Sequence, residues 1–143
     1  MKTAVTAAEA VERIPDGASL MFGGFMGVGN PDRLVAALME AGRRDLTVIV
    51  NDTARDGRGV QPLIHDKRVE KMICSHIGLC KEAQRQMIAG EMEIELCPQG
   101  TFAERVRAGG VGLGGVVAPT GVGTLAGEGR QTIEIDGKTF LVY

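Results

Sequence analysis

Four short strand-like runs, separated by stretches with helical spacing, constrain this chain more than any other feature. They are Ser19–Phe22, Leu46–Val50, Val69–Cys74 and Glu93–Leu96. Leu46–Val50 reads LTVIV, apolar and β-branched throughout, the pattern of a strand covered on both faces. Leu34, Val35, Leu38 and Met39 lie on one face of a helix that starts near Pro31 and ends at Gly42. Thr6 and Glu9 have capping-box spacing and open a helix over Thr6–Ile14, which Pro15-Asp16-Gly17 ends. Further helices are expected over Val60–His65, Lys81–Ala89 and Phe102–Ala108. Strands alternating with helices are the signature of βαβ units. The fold class is therefore α/β, with a mainly parallel sheet flanked by helices.

The 143 residues suit a single domain, 1–143, able to bury a core. Aromatic residues are only 3%, with no Trp, so that core must be aliphatic, with most of the seven Met residues as filler. No run reaches the ~20 apolar residues of a membrane helix, and Glu9 and Glu12 interrupt the N-terminal segment where a signal peptide needs an apolar core. A net charge of −2 argues against a nucleic-acid partner. Cys74, Cys80 and Cys97 are odd in number and lack C-x-x-C spacing, which argues against a disulfide framework or zinc site and makes a reducing cytoplasm the default location. Cys74 and Cys97, at strand ends, read as buried small residues, and Cys80 as the exposed one. His65 and His76 have no ligand cluster around them, so no metal is expected.

Glycine supplies 21 residues, well above the average of about 7%, and it concentrates in two places. Gly109–Gly129 holds nine glycines in 21 residues without periodicity and reads as one long loop. After it, QTIEIDGKTFLVY reads as a hairpin around Asp136-Gly137. Because the chain stops on that apolar strand, either the hairpin lies at a sheet edge or more protein completes the fold. The other concentration, Gly23–Asn30, lies between a strand and a helix, the position of a ligand-binding βα loop. Four glycines in seven residues exceed what a turn requires, although a tight structural turn remains the plain alternative. A dinucleotide site would use Asp52 as ribose partner, but the order G-G-x-x-G-x-G differs from G-x-G-x-x-G. No Gly-Lys-Ser/Thr follows, so the phosphate-loop pattern also fails.

Several segments, taken in order, resemble one family. Asp16-Gly17-Ala18-Ser19-Leu20-Met21-Phe22-Gly23-Gly24-Phe25, continuing to Gly29 and Pro31, is similar to the α-subunit signature of the family I coenzyme A transferases. Asn51-Asp52-Thr53-Ala54, Gly90–Leu96 running into Pro98-Gln99-Gly100-Thr101, and Ala108 through Pro119-Thr120-Gly121 to Thr124 agree with it. The Asn-Asp-Thr-Ala segment and His76-Ile77-Gly78 resemble the acetate/butyrate–acetoacetate branch most. The resemblance covers essentially the whole chain, and family α subunits continue beyond the point matching Tyr143, so an incomplete C-terminus is expected.

The resemblance implies a CoA transferase α-subunit fold and a short-chain acyl-CoA:carboxylate (3-oxoacid) CoA-transferase. The nucleophilic glutamate would lie in a partner β subunit within a Ser-Glu-Asn-Gly motif that this chain lacks. That glutamate would attack an acyl-CoA, giving a mixed anhydride and then a glutamyl-CoA thioester, in ping-pong order. One oriented donor to a developing oxyanion is worth about 3–4 kcal/mol. Gln99 and Asn51 match supporting residues near that glutamate. Gly23, Gly24, Phe25, Gly27, Val28 and Gly29 would line the substrate site. Glu91, Glu93, Glu95 and Glu104 read as surface charges. The implied partners are a β subunit in an α2β2 assembly, acyl-CoA and small carboxylic acids, with no cofactor, metal, nucleic acid or membrane. A non-catalytic metabolite-binding or regulatory module with the same fold is the alternative.

Overall fold

The centre of the fold is β2 (Leu46–Val50), whose Leu46 and Val48 are fully buried and whose Val50 is nearly so. The computed structural model describes residues 3–143, and these form two compact units that divide between Glu95 and Leu96.

In the first unit β2 is flanked by β1 (Ser19–Phe22) and β3 (Val69–Cys74), and β4 (Glu93–Leu96) follows beside β3, giving the order β1-β2-β3-β4. The β1–β2 and β2–β3 ladders are parallel. All four strands lie where the apolar pattern predicts. Their register aligns Leu20, Val48 and Met72 in one row and Phe22 with Val50 in another. That face meets Val11, Val35, Leu38, Leu63 and Ile64 in the core. The row Met21–Ile49–Ile73 points the other way, and Met21 there is exposed.

The helices supply the rest of this core. Helix α1 (Ala7–Val11) carries the expected capping box: the Glu9 N–H donates to Thr6 Oγ1 at 3.2 Å and the Thr6 N–H to Glu9 Oε2 at 2.7 Å. It is shorter than predicted, since residues 12–14 close in a turn ahead of Pro15. Helix α2 (Asp32–Glu40) buries Val35, Ala37 and Leu38 but leaves Leu34 exposed. Helices α3 (Gln61–His65) and α4 (Lys81–Ile88) pack together. The fully buried Gln86 of α4 donates to the Ile64 carbonyl at 2.7 Å and to Glu82 at 2.8 Å, so its polar amide is satisfied inside the core.

In the second unit, α5 (Gln99–Val111) leads into β5 (Val117–Ala118), a short 3-10 turn (Leu125–Gly127), β6 (Thr132–Ile135) and β7 (Lys138–Val142). The three strands form an antiparallel sheet in the order β5-β7-β6. The β6–β7 hairpin turns on Asp136-Gly137 as expected, and β7 is the middle strand rather than an edge.

Two expectations change here. Helix α5 begins three residues earlier than predicted and continues through Gly109-Gly110, because Pro98 precedes a helix whose Thr101 and Ala108 are buried. Gly109–Gly129 is not one loop: it holds the end of α5, strand β5 and the 3-10 turn. Val116 and Tyr143 exchange backbone hydrogen bonds of 2.9 and 2.8 Å, and the Tyr143 hydroxyl donates to the Thr120 carbonyl at 2.9 Å. Periodicity could not reveal strand β5, because its partner lies at the end of the chain.

Candidate functional site

The C-terminal ends of β1, β2 and β3 carry three loops, over residues 23–31, 51–60 and 75–80. In an open parallel sheet this is the edge where ligands bind. The first loop folds into a two-residue hairpin: Phe25 and Val28 exchange backbone hydrogen bonds of 2.9 Å each way. Both central residues have positive φ, Met26 at 51° and Gly27 at 91°. Phe25 is 62% exposed and Val28 75%, so the hairpin offers two apolar side chains to a ligand or a partner.

A buried carboxylate holds this hairpin. Asp52 is 4% exposed and follows Asn51, the first residue after β2. Its oxygens accept from the Met26 N–H at 3.1 and 3.2 Å, from the Ala54 N–H at 2.7 Å and from Asn51 Nδ2 at 2.8 Å. Asn51 therefore spends one of its two amide N–H bonds on Asp52, leaving one N–H and one carbonyl oxygen for other partners. The Asn51 backbone carbonyl accepts from the Ser75 N–H at 3.0 Å and from the Ser75 hydroxyl at 2.7 Å, which ties the second loop to the third. Buried Gln61 donates to the Ala54 and Leu79 carbonyls at 2.8 and 3.3 Å and accepts from the Gly57 N–H at 3.1 Å.

Glycine is required at two of these positions by contact. A Cβ on Gly24 would overlap the Asn30 side-chain oxygen, and φ there is +119°. A Cβ on Gly59 would sit 2.8 Å from the Ala54 Cβ and 2.9 Å from Asn30 Nδ2. The Asn30 amide is thus wedged between two glycines, and its Nδ2 is buried without a hydrogen-bond partner. An unmade bond of this kind costs about 1–3 kcal/mol. Gly23 and Gly29 face no such crowding. The aliphatic stems of Arg55 and Arg58 pass close to Gly27, and both residues are exposed.

The structure therefore brings together Gly23, Gly24, Phe25, Gly27, Val28, Gly29 and Asn51, all within the first unit. Gln99 lies in the second unit, where it is the exposed first residue of α5. Sequence reasoning assigned no structural part to Asp52, Gln61 or Ser75. The available signal was an Asn-Asp pair closing a buried strand, a position from which a short acid can cap loop N–H groups.

The glutamates occupy surface ion pairs. Glu91 bonds Arg85 and Lys67, Glu93 bonds Lys71 at 2.7 Å, and Glu104 bonds Arg107 at 2.7 Å. Hydrogen bonds from Arg85 and then Lys67 bring the Glu91 carboxyl down to about 2, and those from Arg85 and Gln86 bring Glu82 to about 2. Burial pushes the Cys74 thiol up to about 11, which keeps it protonated and non-nucleophilic at neutral pH. Cys97 is buried as expected. Cys80, expected at the surface, is buried too, because it enters α4 beneath the core. Among the described residues, no group of three His, Cys, Asp or Glu is placed to hold a metal ion, and no helix is long and apolar enough to cross a membrane.

The chain is similar to several known proteins. Acetate CoA-transferase subunit alpha of Escherichia coli (strain K12) is 54% identical over 143 residues, which cover 99% of this chain and 65% of that protein. The acetoacetyl-CoA:acetate/butyrate CoA transferase alpha subunit of Clostridium acetobutylicum is 42% identical over 127 residues, 89% of this chain and 58% of that one. This chain thus spans less than two thirds of the length of either relative. Among solved structures, a cysteine-to-serine variant of the decarboxylase AibA/AibB superposes with a TM-score of 0.80 at 30% identity, covering 99% of this chain and 58% of that one. The family model for Coenzyme A transferase matches residues 4–143, so the chain belongs to the coenzyme A transferase family, among its α subunits.

Proposed function

We propose that this chain acts with a β subunit, in an α2β2 assembly in the cytoplasm, to move CoA between short-chain carboxylic acids such as acetate and acetoacetate. The observation that carries this reading is the family match over residues 4–143, together with relatives named as acetate and acetoacetyl-CoA:acetate/butyrate transferases. Fold alone would not suffice, since a decarboxylase shares it.

In this reading the nucleophile belongs to the partner, because no Ser-Glu-Asn-Gly occurs here. The partner's glutamate attacks the acyl-CoA carbonyl and expels CoA thiolate, leaving an acyl-glutamyl anhydride. The thiolate then attacks the glutamyl carbonyl of that anhydride, releasing the first acid and leaving a glutamyl-CoA thioester. The incoming acid reverses both steps. Gln99 and Asn51 serve as uncharged amide donors to the oxyanions that form in each step. The pinned hairpin presents Phe25 and Val28 to the acyl chain, and Arg58 lends positive charge beside it for a carboxylate, Arg55 being paired with Asp56 at 3.5 Å.

The test is to assemble the chain with its β subunit and follow acetoacetyl-CoA formation from acetoacetate and acetyl-CoA. Ping-pong transfer is expected, and absence of transfer with a competent β subunit contradicts the reading. The alternative is a metabolite-binding module without catalysis. Calorimetry of the chain alone separates the two: tight binding of a carboxylic acid without any β subunit supports the module, and no binding supports the half-site.

A further inference from the structure

We infer that Asp52 is the positioning residue of this site: one buried carboxylate both sets the Phe25–Val28 hairpin and aims the Asn51 amide. The inference rests on the acyl-transfer reading for its kinetic arm and on geometry alone for the rest.

Asp52 gathers groups that local sequence preference would leave apart. The Met26 N–H, 26 residues away, bonds both of its oxygens. Met26 and Ala54 have positive φ, 51° and 54°, which non-glycine residues rarely adopt. Both of these strained residues donate their N–H to Asp52. Strain of this kind persists where surrounding contacts over-determine it, and it clusters at functional sites. The third donor is Asn51 itself, at 2.8 Å. Because that bond uses the side-chain nitrogen, it fixes which way the amide faces. The remaining Asn51 N–H and carbonyl are then held in one orientation before any ligand arrives, and such preorganisation raises kcat more than it changes KM.

An acceptor-only group is needed for this work. Asparagine at position 52 would keep one oxygen but would turn an NH2 toward the Asn51 nitrogen, donor against donor. Alanine would remove every acceptor. The two variants therefore separate the two roles: Asp52→Asn releases chiefly the Asn51 amide, and Asp52→Ala releases the hairpin as well.

Both variants are made in the enzyme assembled with its β subunit. Steady-state kinetics and backbone hydrogen exchange are then measured. In Asp52→Asn, kcat should fall by roughly 10- to 100-fold with little change in KM for acyl-CoA. In Asp52→Ala, exchange at Met26 and Ala54 should accelerate while Val48 and Val50 of β2 stay protected. An unchanged kcat in Asp52→Asn would overturn the inference. So would exchange in Asp52→Ala that accelerates equally at Val48 and Val50, since that assigns Asp52 to general stability. If the unsubstituted assembly transfers no CoA, the acyl-transfer reading fails by itself, and the exchange pattern still decides whether Asp52 pins the hairpin.

Discussion

Two glycine-rich segments of this molecule are held in different ways. In the segment from Gly23 to Gly29, one glycine answers a contact: Asn30 occupies the space a Cβ at Gly24 would need, and Asp52 holds the turn that follows. In Gly109–Gly129, Gly109, Gly110, Gly112 and Gly114 face open space, whereas a Cβ on Gly115, Gly121 or Gly127 would meet the Tyr143 carbonyl at 2.9 Å, the Tyr143 hydroxyl at 2.6 Å or the Gly121 carbonyl at 2.7 Å. Gly109 and Gly110 lie inside a helix, where glycine is a poor residue. Glycine content alone therefore does not mark a site. What distinguishes the first segment is a buried carboxylate, Asp52, that fixes its backbone.

The largest expected effect would break a simple version of this contrast. Gln99 lies in the second unit, at the opposite end of α5 from Gly109 and Gly110. Gln99→Ala should cut kcat by about 100- to 1000-fold if the amide stabilises an oxyanion. Its melting temperature should stay unchanged, because that side chain is exposed. An unaltered kcat would remove Gln99 from the site and leave all the chemistry on this chain to the first unit. Next in size, Gly24→Ala should destabilise the first unit by about 1–3 kcal/mol in urea denaturation. It should also reduce transfer, through the clash with Asn30. A fully stable and active variant would show that this glycine is as dispensable as those facing open space.

Gly109→Ala and Gly110→Ala sharpen the contrast from the other side. Each should stabilise by about 0.4–1 kcal/mol, by removing unfolded-state freedom without strain. A loss of stability in either would mean that the helical glycines answer a contact, as Gly121 and Gly127 do.

The smallest effect lies outside both segments. Glu82 and Glu91 are held near 2 by Arg85 and their other partners, against an ordinary 4.5. A depressed carboxyl contributes stability that is present above about 4.5 and lost as pH falls toward 2. Arg85→Met should flatten that acid limb in thermal melts recorded across this pH range, by a small amount because the groups are exposed. The glycine substitutions should leave the limb unchanged, and a shift in either would tie its segment to the charge cluster.

The strands were legible because a period of two, or an unbroken apolar run, is a local signal, and β1 to β4 fall on their predicted residues. The Thr6 capping box and the Asp136-Gly137 hairpin are local in the same sense. The bonds that build the site are not. Met26 reaches Asp52 across 26 residues, Gln61 reaches Leu79 across 18, and Gln86 reaches Ile64 across 22. No pattern within a helical or strand window encodes such pairs. The same limit explains strand β5, which exists through its partner β7, and Cys80, whose burial follows from how α4 seats on the core. The likeness to a family pointed to Asn51 and Gln99, while the Asp52 network that holds Asn51 emerged from the geometry.

The central claim is that this chain supplies oriented amides and a shaped loop, while the covalent intermediate forms on the partner. Intact-mass spectrometry of the assembled enzyme, quenched after mixing with acyl-CoA and no acceptor acid, tests it directly. The account predicts a CoA addition on the β subunit and an unmodified mass for this chain. A CoA adduct on this chain, at Glu91, Glu93, Glu95, Glu104 or elsewhere, would contradict it.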